Sequence, residues 1–132
     1  GDKIVLACNA NEVTAGALTG KYLSSVTSTF SSDKNTIDSL GTDTEVFTLK
    51  QDGKNWQLIA SNDKAIGTKA AKTLLSGSGT LTWTITITAE GATIESTDSF
   101  GKILYNSGSP RFLNYTSSPN KSMLLPQIYK LA

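Results

Sequence analysis

The sequence predicts an all-β fold, and three features of the chain support this prediction. Part of the sequence is repeated, apolar and polar residues alternate in short segments, and glycine-containing turns separate those segments. The alternation is clearest in Trp83–Thr88, where apolar residues and threonines take every second position. A period of two residues is typical of a strand with one buried face, and β-branched residues suit its pleated surface.

The repeat relates two segments without a gap. Phe47–Ile66 aligns with Ile85–Leu104 at a shift of 38 residues, and Gly20–Leu23 is a further copy of the last block. Repeats of about 40 residues indicate one supersecondary unit that is used several times. We therefore predict a single β-rich domain, residues 1–132, made of three units at residues 1–44, 45–81 and 82–132.

The first unit is expected to begin with a strand. Ile4, Leu6 and Cys8 share one face of that strand, so Cys8 is predicted to be a small buried residue. It is the only cysteine, which excludes an internal disulfide. The polar stretch Ser24–Thr44 is predicted to be a long connection that contains one short strand.

Two hairpins are expected in the later units. Asp52-Gly53 follows one strand-like segment, and Glu90-Gly91 is its counterpart in the repeat. Such pairs are strong hairpin signals because glycine adopts a positive φ at little cost. Thr68–Leu75 contains helix formers but no cap beyond Thr68, which predicts one turn of helix or an ordinary loop.

The last predicted strand has no hairpin partner after it. Gln127–Leu131 would pair naturally with Lys3–Ala7 and close the sheet, and closure removes the free edges that invite aggregation. Three units closed in this way predict a β-trefoil-like barrel, with a β-sandwich or another β-barrel as the alternatives. The expected core contains Phe47, Trp56, Trp83, Ile85, Ile94, Leu104, Phe112 and Tyr129.

Composition and charge exclude several classes of function. The chain has 12 basic and 11 acidic residues and lacks a dense basic stripe, so nucleic-acid binding is not expected. No apolar run approaches the roughly 18 residues that span a membrane. The chain has no histidine, which removes the commonest general base and, with a single cysteine, a tetrahedral zinc site. We therefore expect no cofactor, no metal site and no catalytic residues.

Acidic residues are scattered over the predicted loops. Asp33, Asp38 and Asp43 are five residues apart, and all three could surround one loop. They lack the alternate spacing and the closing glutamate of a calcium loop. Surface solubility is the preferred interpretation of these carboxylates, and weak calcium binding is the alternative.

One polar and aromatic segment, residues 105–116, is the candidate ligand-binding site. Its candidate ligand-binding residues are Tyr105, Asn106, Arg111, Asn114 and Tyr115. Aromatic faces beside amide and guanidinium donors suit stacking on a sugar ring or gripping a peptide. The structural alternative places Phe112 and Tyr115 in the core and has the only arginine, Arg111, tie down loop carbonyls or an acidic side chain.

A series of short motifs resembles an uncharacterised β-rich accessory domain. These motifs are Phe47-Thr48-Leu49, Trp56-Gln57-Leu58, Trp83-Thr84-Ile85, Ala92-Thr93-Ile94, Leu104-Tyr105-Asn106, Ser109-Pro110-Arg111-Phe112 and Leu125-Pro126-Gln127-Ile128-Tyr129-Lys130. That domain occurs near the C-termini of secreted and surface proteins of Gram-negative gut anaerobes. The resemblance implies an extracytoplasmic module that is secreted, periplasmic or on the cell surface, and it brings no catalytic residues.

In outline the chain is also similar to lectin-type trefoils. Those proteins carry a Gln-x-Trp block in each unit, whereas the tryptophans here lie in Asn55-Trp56-Gln57 and Thr82-Trp83-Thr84. Sugar binding by that particular arrangement is therefore not expected.

The preferred functional hypothesis is a non-catalytic module that binds a glycan or tethers a larger protein to its target. The second hypothesis is a structural or protein–protein interaction module that makes its contact through Ser24–Thr44. A weaker one is a small hydrolase that uses carboxylates or a Ser-Lys pair.

Overall fold

A computed structural model describes residues 1–131, and it confirms the predicted all-β fold. One turn of 3-10 helix, Asn9–Asn11, follows the first strand. The strands are β1 (Lys3–Cys8), β2 (Val13–Thr19), β3 (Tyr22–Thr27), β4 (Thr29–Phe30), β5 (Ile37–Ser39), β6 (Phe47–Asp52), β7 (Asn55–Ile59), β8 (Ile66–Ala70), β9 (Thr73–Ser76), β10 (Trp83–Thr88), β11 (Gly91–Ser96), β12 (Lys102–Asn106), β13 (Arg111–Tyr115), β14 (Met123–Leu124) and β15 (Gln127–Lys130).

Nine of these strands form a closed barrel. Around the ring the order is β1, β2, β3, β13, β12, β11, β10, β7 and β6, and β6 pairs with β1 again. Strands β14 and β15 are added to β12 and β1, while β4–β5 and β8–β9 form separate two-stranded hairpins. In a closed ring each strand has a neighbour on both sides, which can form hydrogen bonds with its backbone groups.

The two ends of the chain pair with each other, as predicted, but this pair does not close the barrel, because the ring is complete without β15. Ile4 lies opposite Lys130 and Ala7 lies opposite Gln127 in an antiparallel register. The Leu131 N–H donates to the Lys3 carbonyl at 2.9 Å and extends this ladder. The C-terminal segment is therefore held against the first strand of the barrel.

The barrel encloses a continuous apolar core. Five of the eight expected core residues are buried, and Trp56, Ile85 and Tyr129 are partly buried. Trp83 has no exposed surface, and its indole Nε1–H donates to the buried Ile66 carbonyl at 2.9 Å. The first strand contributes a continuous buried run, Ile4–Cys8, which confirms the predicted environment of Cys8.

The expectation of a helical turn or loop at Thr68–Leu75 is wrong. The segment belongs to the β8–β9 hairpin, in which Gly67 lies opposite Leu75. Its turn has no glycine; instead Lys72 adopts a φ of 58°. Thr68 is fully buried and its hydroxyl lies within hydrogen-bond distance of the carbonyls of Ala70 and Thr73, which stabilises this turn through a side chain.

The long connection at Ser24–Thr44 contains more strand than was predicted. Most of β3 and the short pair β4–β5 lie within it. Phe30 is its buried anchor, whereas Leu40 is 37% exposed. The polar composition of this segment therefore hides a folded ribbon that packs beside the barrel.

Both predicted hairpins form, but the second turn lies earlier than the ungapped repeat requires. In β6–β7 the turn residues are Gly53-Lys54, and Gly53 has a φ of 65°. In β10–β11 they are Ala89-Glu90, so Gly91 is the first residue of β11 and not a turn residue. A Cβ at Gly91 would lie 2.6 Å from the Pro126 carbonyl oxygen, so close backbone packing explains this glycine.

Candidate functional site

A cleft of about 700 Å³ opens beside the tip of the β10–β11 hairpin. It lies between this tip, strand β15 and the segment Lys34–Leu40, and we call it the hairpin cleft. The β1–β15 ladder forms part of its wall, because Val5 and Ile128–Leu131 also line it. Strand β15, which is added to β1 outside the ring, therefore also builds the cleft.

Three polar side chains on one side of the cleft are fixed by mutual hydrogen bonds. The Asn9 N–H donates to Gln127 Oε1 at 2.8 Å, and Asn9 Nδ2 donates to the Tyr129 hydroxyl at 3.0 Å. The Tyr129 hydroxyl in turn donates to the Lys34 carbonyl at 2.6 Å. A connected network of this kind holds amide groups in place before any ligand arrives.

The ring of Tyr129 is held as firmly as its hydroxyl. It packs edge-on against Phe30 with 5.7 Å between the ring centroids. Lys34 has a φ of 65°, lies 5.8 Å above the Phe30 ring and forms an ion pair with Glu12 at 3.4 Å. These contacts attach the turn Ser31–Thr36 to the barrel and define one rim of the cleft.

Another part of the cleft lining is apolar and open to solvent. Ile87 at the end of β10 is 66% exposed and Leu40 is 37% exposed, and both line the cleft. They are the two large hydrophobic residues that the described part of the chain exposes. Ile37 and Ile128 add partly buried apolar surface to the lining.

The charged groups at the cleft are few and mixed in sign. Glu90 is exposed at the hairpin tip, and Lys130 lies 3.6 Å from Asp2 in an exposed ion pair. With Lys34 already beside Glu12, Glu90 is the lining carboxylate that approaches from the hairpin side. The site therefore suits a ligand of low net charge.

A second cleft of about 420 Å³ continues from the first. The two clefts share Asn9, Glu90 and Gln127, so these residues stand between them. Cys8 lies at the base of the second cleft and its thiol contacts Asn11 Oδ1 at 3.5 Å. Burial raises the pKa of the Cys8 thiol, which keeps it protonated and unreactive at neutral pH.

The aromatic residues of the sequence-predicted site do not lie at a surface. Tyr105 is 3% exposed and Tyr115 is 4% exposed, and Phe112 between them is fully buried. Tyr105 packs against Phe112 with 4.9 Å between the ring centroids. Both faces of β12 are packed, since the neighbours Leu104 and Tyr105 are both buried, and both tyrosine rings belong to the core cluster, so neither offers a face to a sugar.

Asn114 is also buried, and its amide joins three segments of the fold. Oδ1 accepts from the Thr73 N–H at 3.0 Å, while Nδ2 lies at 2.8 Å from the Phe100 carbonyl. Nδ2 also contacts the Ala70 carbonyl at 2.9 Å and Thr68 Oγ1 at 3.0 Å. This side chain links β13 to the β8–β9 hairpin and has no free polar atom for a ligand.

Asn106 and Arg111 are the two predicted residues that remain partly exposed. Asn106 Oδ1 accepts from the N–H groups of Gly108 and Ser109, both at 3.0 Å. Arg111 Nε donates to the Ser109 carbonyl at 3.2 Å, and its guanidinium lies 4.1 Å above the Tyr22 ring. The two side chains organise the β12–β13 turn, which agrees with the structural alternative given above.

The three spaced aspartates do not meet. Within residues 1–131, no three acidic, cysteine or histidine side chains gather closely enough to hold a metal ion. Asp33 stabilises its own turn instead, because hydrogen bonds from the backbone N–H of Asn35 and the hydroxyl of Ser31 lower the pKa of its carboxyl. No helix in the described part of the chain is long and apolar enough to cross a membrane.

Sequence reasoning missed the hairpin cleft because its residues come from four separate segments. One signal was available: the alternation in β10 continues to Ile87, two residues before the turn, and this isoleucine is 66% exposed. Gln127 and Tyr129 were assigned to a closing strand, but their role in lining a cleft depends on the β1–β15 register.

Comparison with known proteins places the chain by its fold. No protein-family model matches it, and no curated protein matches it in sequence. Among solved structures it is similar to the crystal structure of Cry35Ab1, with a TM-score of 0.65, 13% sequence identity and coverage of 99% of this chain. The chain spans 36% of the length of that protein. At this level of identity the likeness concerns the fold alone.

Proposed function

We propose that the chain is a non-catalytic binding module that holds a neutral glycan in the hairpin cleft. The observation that supports this proposal is the pre-organised network of Asn9, Gln127 and Tyr129 beside the apolar residues Ile87 and Ile128. Sugars present hydroxyls on their rims and C–H groups on their faces, so a neighbouring amide row and apolar wall match both.

The polar atoms that remain free in the cleft set the expected contacts. Gln127 Nε2 has only a long contact, 3.4 Å, to the Leu125 carbonyl, and Glu90 is exposed. A sugar hydroxyl both donates and accepts hydrogen bonds, so an amide donor and a carboxylate acceptor in one cleft can each bind it. The single carboxylate makes a neutral sugar a better ligand than an acidic one.

We also propose that the barrel is a β-trefoil in an extracytoplasmic accessory module. The three repeated blocks place Leu23, Ile66 and Leu104 at equivalent sequence positions, and all three are buried. The trefoil interpretation predicts that these side chains meet around one axis of the barrel. The extracytoplasmic role is proposed from the sequence resemblance alone. A module in that location would bind a glycan or tether a larger protein to its target.

The proposal is tested by glycan-array screening followed by titration calorimetry on the best ligand. Glu90→Ala and Gln127→Ala are each expected to weaken binding about five- to tenfold, the loss for one net hydrogen bond. Glu95→Ala and Gln51→Ala make the same chemical changes at exposed positions outside the cleft and should leave the affinity unchanged. An array hit that none of these variants affects would exclude the hairpin cleft as the binding site.

A protein ligand is the second candidate, and the exposure of Leu40 and Ile87 favours it. Both residues lie on the rim of the same cleft, and Leu40 belongs to the Ser24–Thr44 segment expected to make such a contact. A negative glycan array together with a stable protein complex that Leu40→Asp abolishes would support this candidate over the first.

A further inference from the structure

The tip of strand β10 is an unpaired edge of the sheet. On one side β10 pairs with β11 along its whole length, from Trp83 to Thr88. On the other side its register with β7 contains a single pair, Trp83 with Trp56. Beyond that pair β7 has reached its turn, so the following residues of β10 extend past the neighbouring strand.

The orientation of the backbone groups at this edge follows from one hydrogen bond. The Ala92 N–H donates outward, to the Pro126 carbonyl at 2.7 Å, and not to β10. Ala92 and its partner Ile87 are therefore a non-hydrogen-bonded pair of the hairpin, and so are Ile94 and Ile85. The N–H and C=O groups of Ile85 and Ile87 consequently point away from β11, and within residues 1–131 neither residue has a backbone partner on that side.

Other outer strands carry features that prevent pairing with a second chain. The tip of the β6–β7 hairpin, which the repeat relates to this one, contains Lys50, Asp52 and Lys54. The β8–β9 hairpin has Lys69 and Lys72, and β4–β5 has strands of only two and three residues. Charge and shortness are the usual protections of an edge. Residues 83–89 have no charge, no proline and no bulge.

We propose that this edge pairs with the same edge of a second copy of the chain, in a two-fold antiparallel ladder centred on Thr86. Such a register sets Ile85 of each copy opposite Ile87 of the other, and these are the residues whose backbone groups are free. Each Ile85–Ile87 pair exchanges two N–H···O bonds, so the contact contains four hydrogen bonds.

The side chains are self-complementary in the same register. Residues directly opposite one another lie on the same face of a sheet, so isoleucine meets isoleucine on one face. On the other face Thr86 meets Thr86, and Thr84 meets Thr88. A two-fold contact requires a patch that fits itself, and an alternating, uncharged Ile/Thr strand does so without a like-charge pair. The 66% exposed Ile87 would lose most of its solvent contact.

The length of the edge sets the strength of the dimer. Four to five residues a side bury less than the roughly 1,200 Å² of a standard interface, so the dimer should be weak and reversible. We expect sedimentation of the wild-type chain to show a monomer–dimer equilibrium over the range from about 10 μM to about 1 mM. In amide NMR spectra the Ile85 and Ile87 resonances should move most as the concentration rises.

Charge exchange at the two-fold centre tests the register. Thr86→Lys and Thr86→Glu each place like charges directly opposite, and each should raise the dimer dissociation constant by about threefold or more at low salt. An equimolar mixture of the two should restore association to at least the wild-type level, because each mixed pair joins opposite charges. Thr116→Lys adds the same charge at an exposed position away from β10 and should leave the constant unchanged.

Ile87→Pro tests the backbone contribution separately. The Ile87 N–H points out of the hairpin, so proline removes no bond to β11 but deletes two of the four bonds between copies. Dissociation should rise about 10- to 100-fold. A wild-type chain that stays monomeric at about 1 mM, or a Thr86→Lys/Thr86→Glu mixture no tighter than either variant alone, overturns the proposal. The proposal is also wrong if this edge binds a different protein while the chain itself shows no self-association.

Discussion

Replacing Asn114 by alanine is expected to destabilise the fold strongly. Asn114 has no exposed surface, and its amide contacts Thr73, Ala70, Phe100 and Thr68 at 2.8–3.0 Å. At about 1 kcal/mol for each net hydrogen bond, the loss of four contacts lowers the free energy of unfolding by about 3–5 kcal/mol. That is a large part of the roughly 5–15 kcal/mol of a typical domain.

Urea unfolding followed by tryptophan fluorescence measures this loss, since Trp83 is fully buried in the native state. Asn106→Ala is the matched control, because Asn106 is partly exposed and water can replace its contacts; its cost should stay below about 1.5 kcal/mol. A loss below about 1 kcal/mol for Asn114→Ala would refute the reasoning, because it would mean that water satisfies the groups this amide joins. Asn114 would then again be a candidate ligand-binding residue.

Three further predictions concern the core, a glycine and the thiol. Trp83→Phe should lower the free energy of unfolding by about 1–3 kcal/mol, because it leaves the buried Ile66 carbonyl without the indole donor. Trp56→Phe, at a partly buried site, is the control, and circular dichroism replaces fluorescence in this urea assay because the substitution removes the buried tryptophan probe. Gly101→Ala should cost at least about 2 kcal/mol, since Gly101 has a φ of 92° and a Cβ would collide with the Tyr115 carbonyl oxygen, whereas Gly20→Ala, with open space at a φ of 61°, should cost about 1 kcal/mol. Because burial raises the pKa of the Cys8 thiol, the unfolded chain loses the thiol proton at a lower pH than the folded chain. The free energy of unfolding should therefore fall as the pH rises above about 8.5. Cys8→Ala should lack that fall in urea titrations between about pH 7.5 and pH 10.

The sequence predicts the strands and the pairing of the two chain ends because both depend on local patterns. Alternation in Trp83–Thr88 and the glycine turn after Asp52 describe their own segments, and β1 and β15 remain as the two unpaired ends. The β8–β9 hairpin escapes this reasoning. Its turn uses Lys72 with a positive φ and a buried threonine, and neither leaves a composition signal.

The candidate site is harder to predict because exposure depends on which strands cover which faces. Tyr105 and Tyr115 look like binding residues in a polar segment, yet both rings are packed into the core cluster. The residues of the hairpin cleft, in contrast, were not predicted to form a site. Asn9 and Tyr129 are 120 residues apart in the chain, and only the β1–β15 register brings them to 3.0 Å.

A difference of two residues between the repeats explains why the cleft occurs at the second hairpin and not at the first. In β6–β7 the turn begins at Gly53, and the charged tip is exposed to solvent on all sides. In β10–β11 the turn begins at Ala89, which is 36 residues after Gly53. The repeat shift of 38 residues would instead place the start of this turn at Gly91. Gly91 is thereby moved into β11, where it packs against Pro126 and attaches the hairpin to β15. This attachment forms the cleft, whereas Ile85 and Ile87 lack a partner on the other edge of β10 because β7 has already reached its turn. Inserting two residues after Ala89 should therefore weaken ligand binding in titration calorimetry and leave self-association in sedimentation unchanged, and a loss of both would contradict this separation.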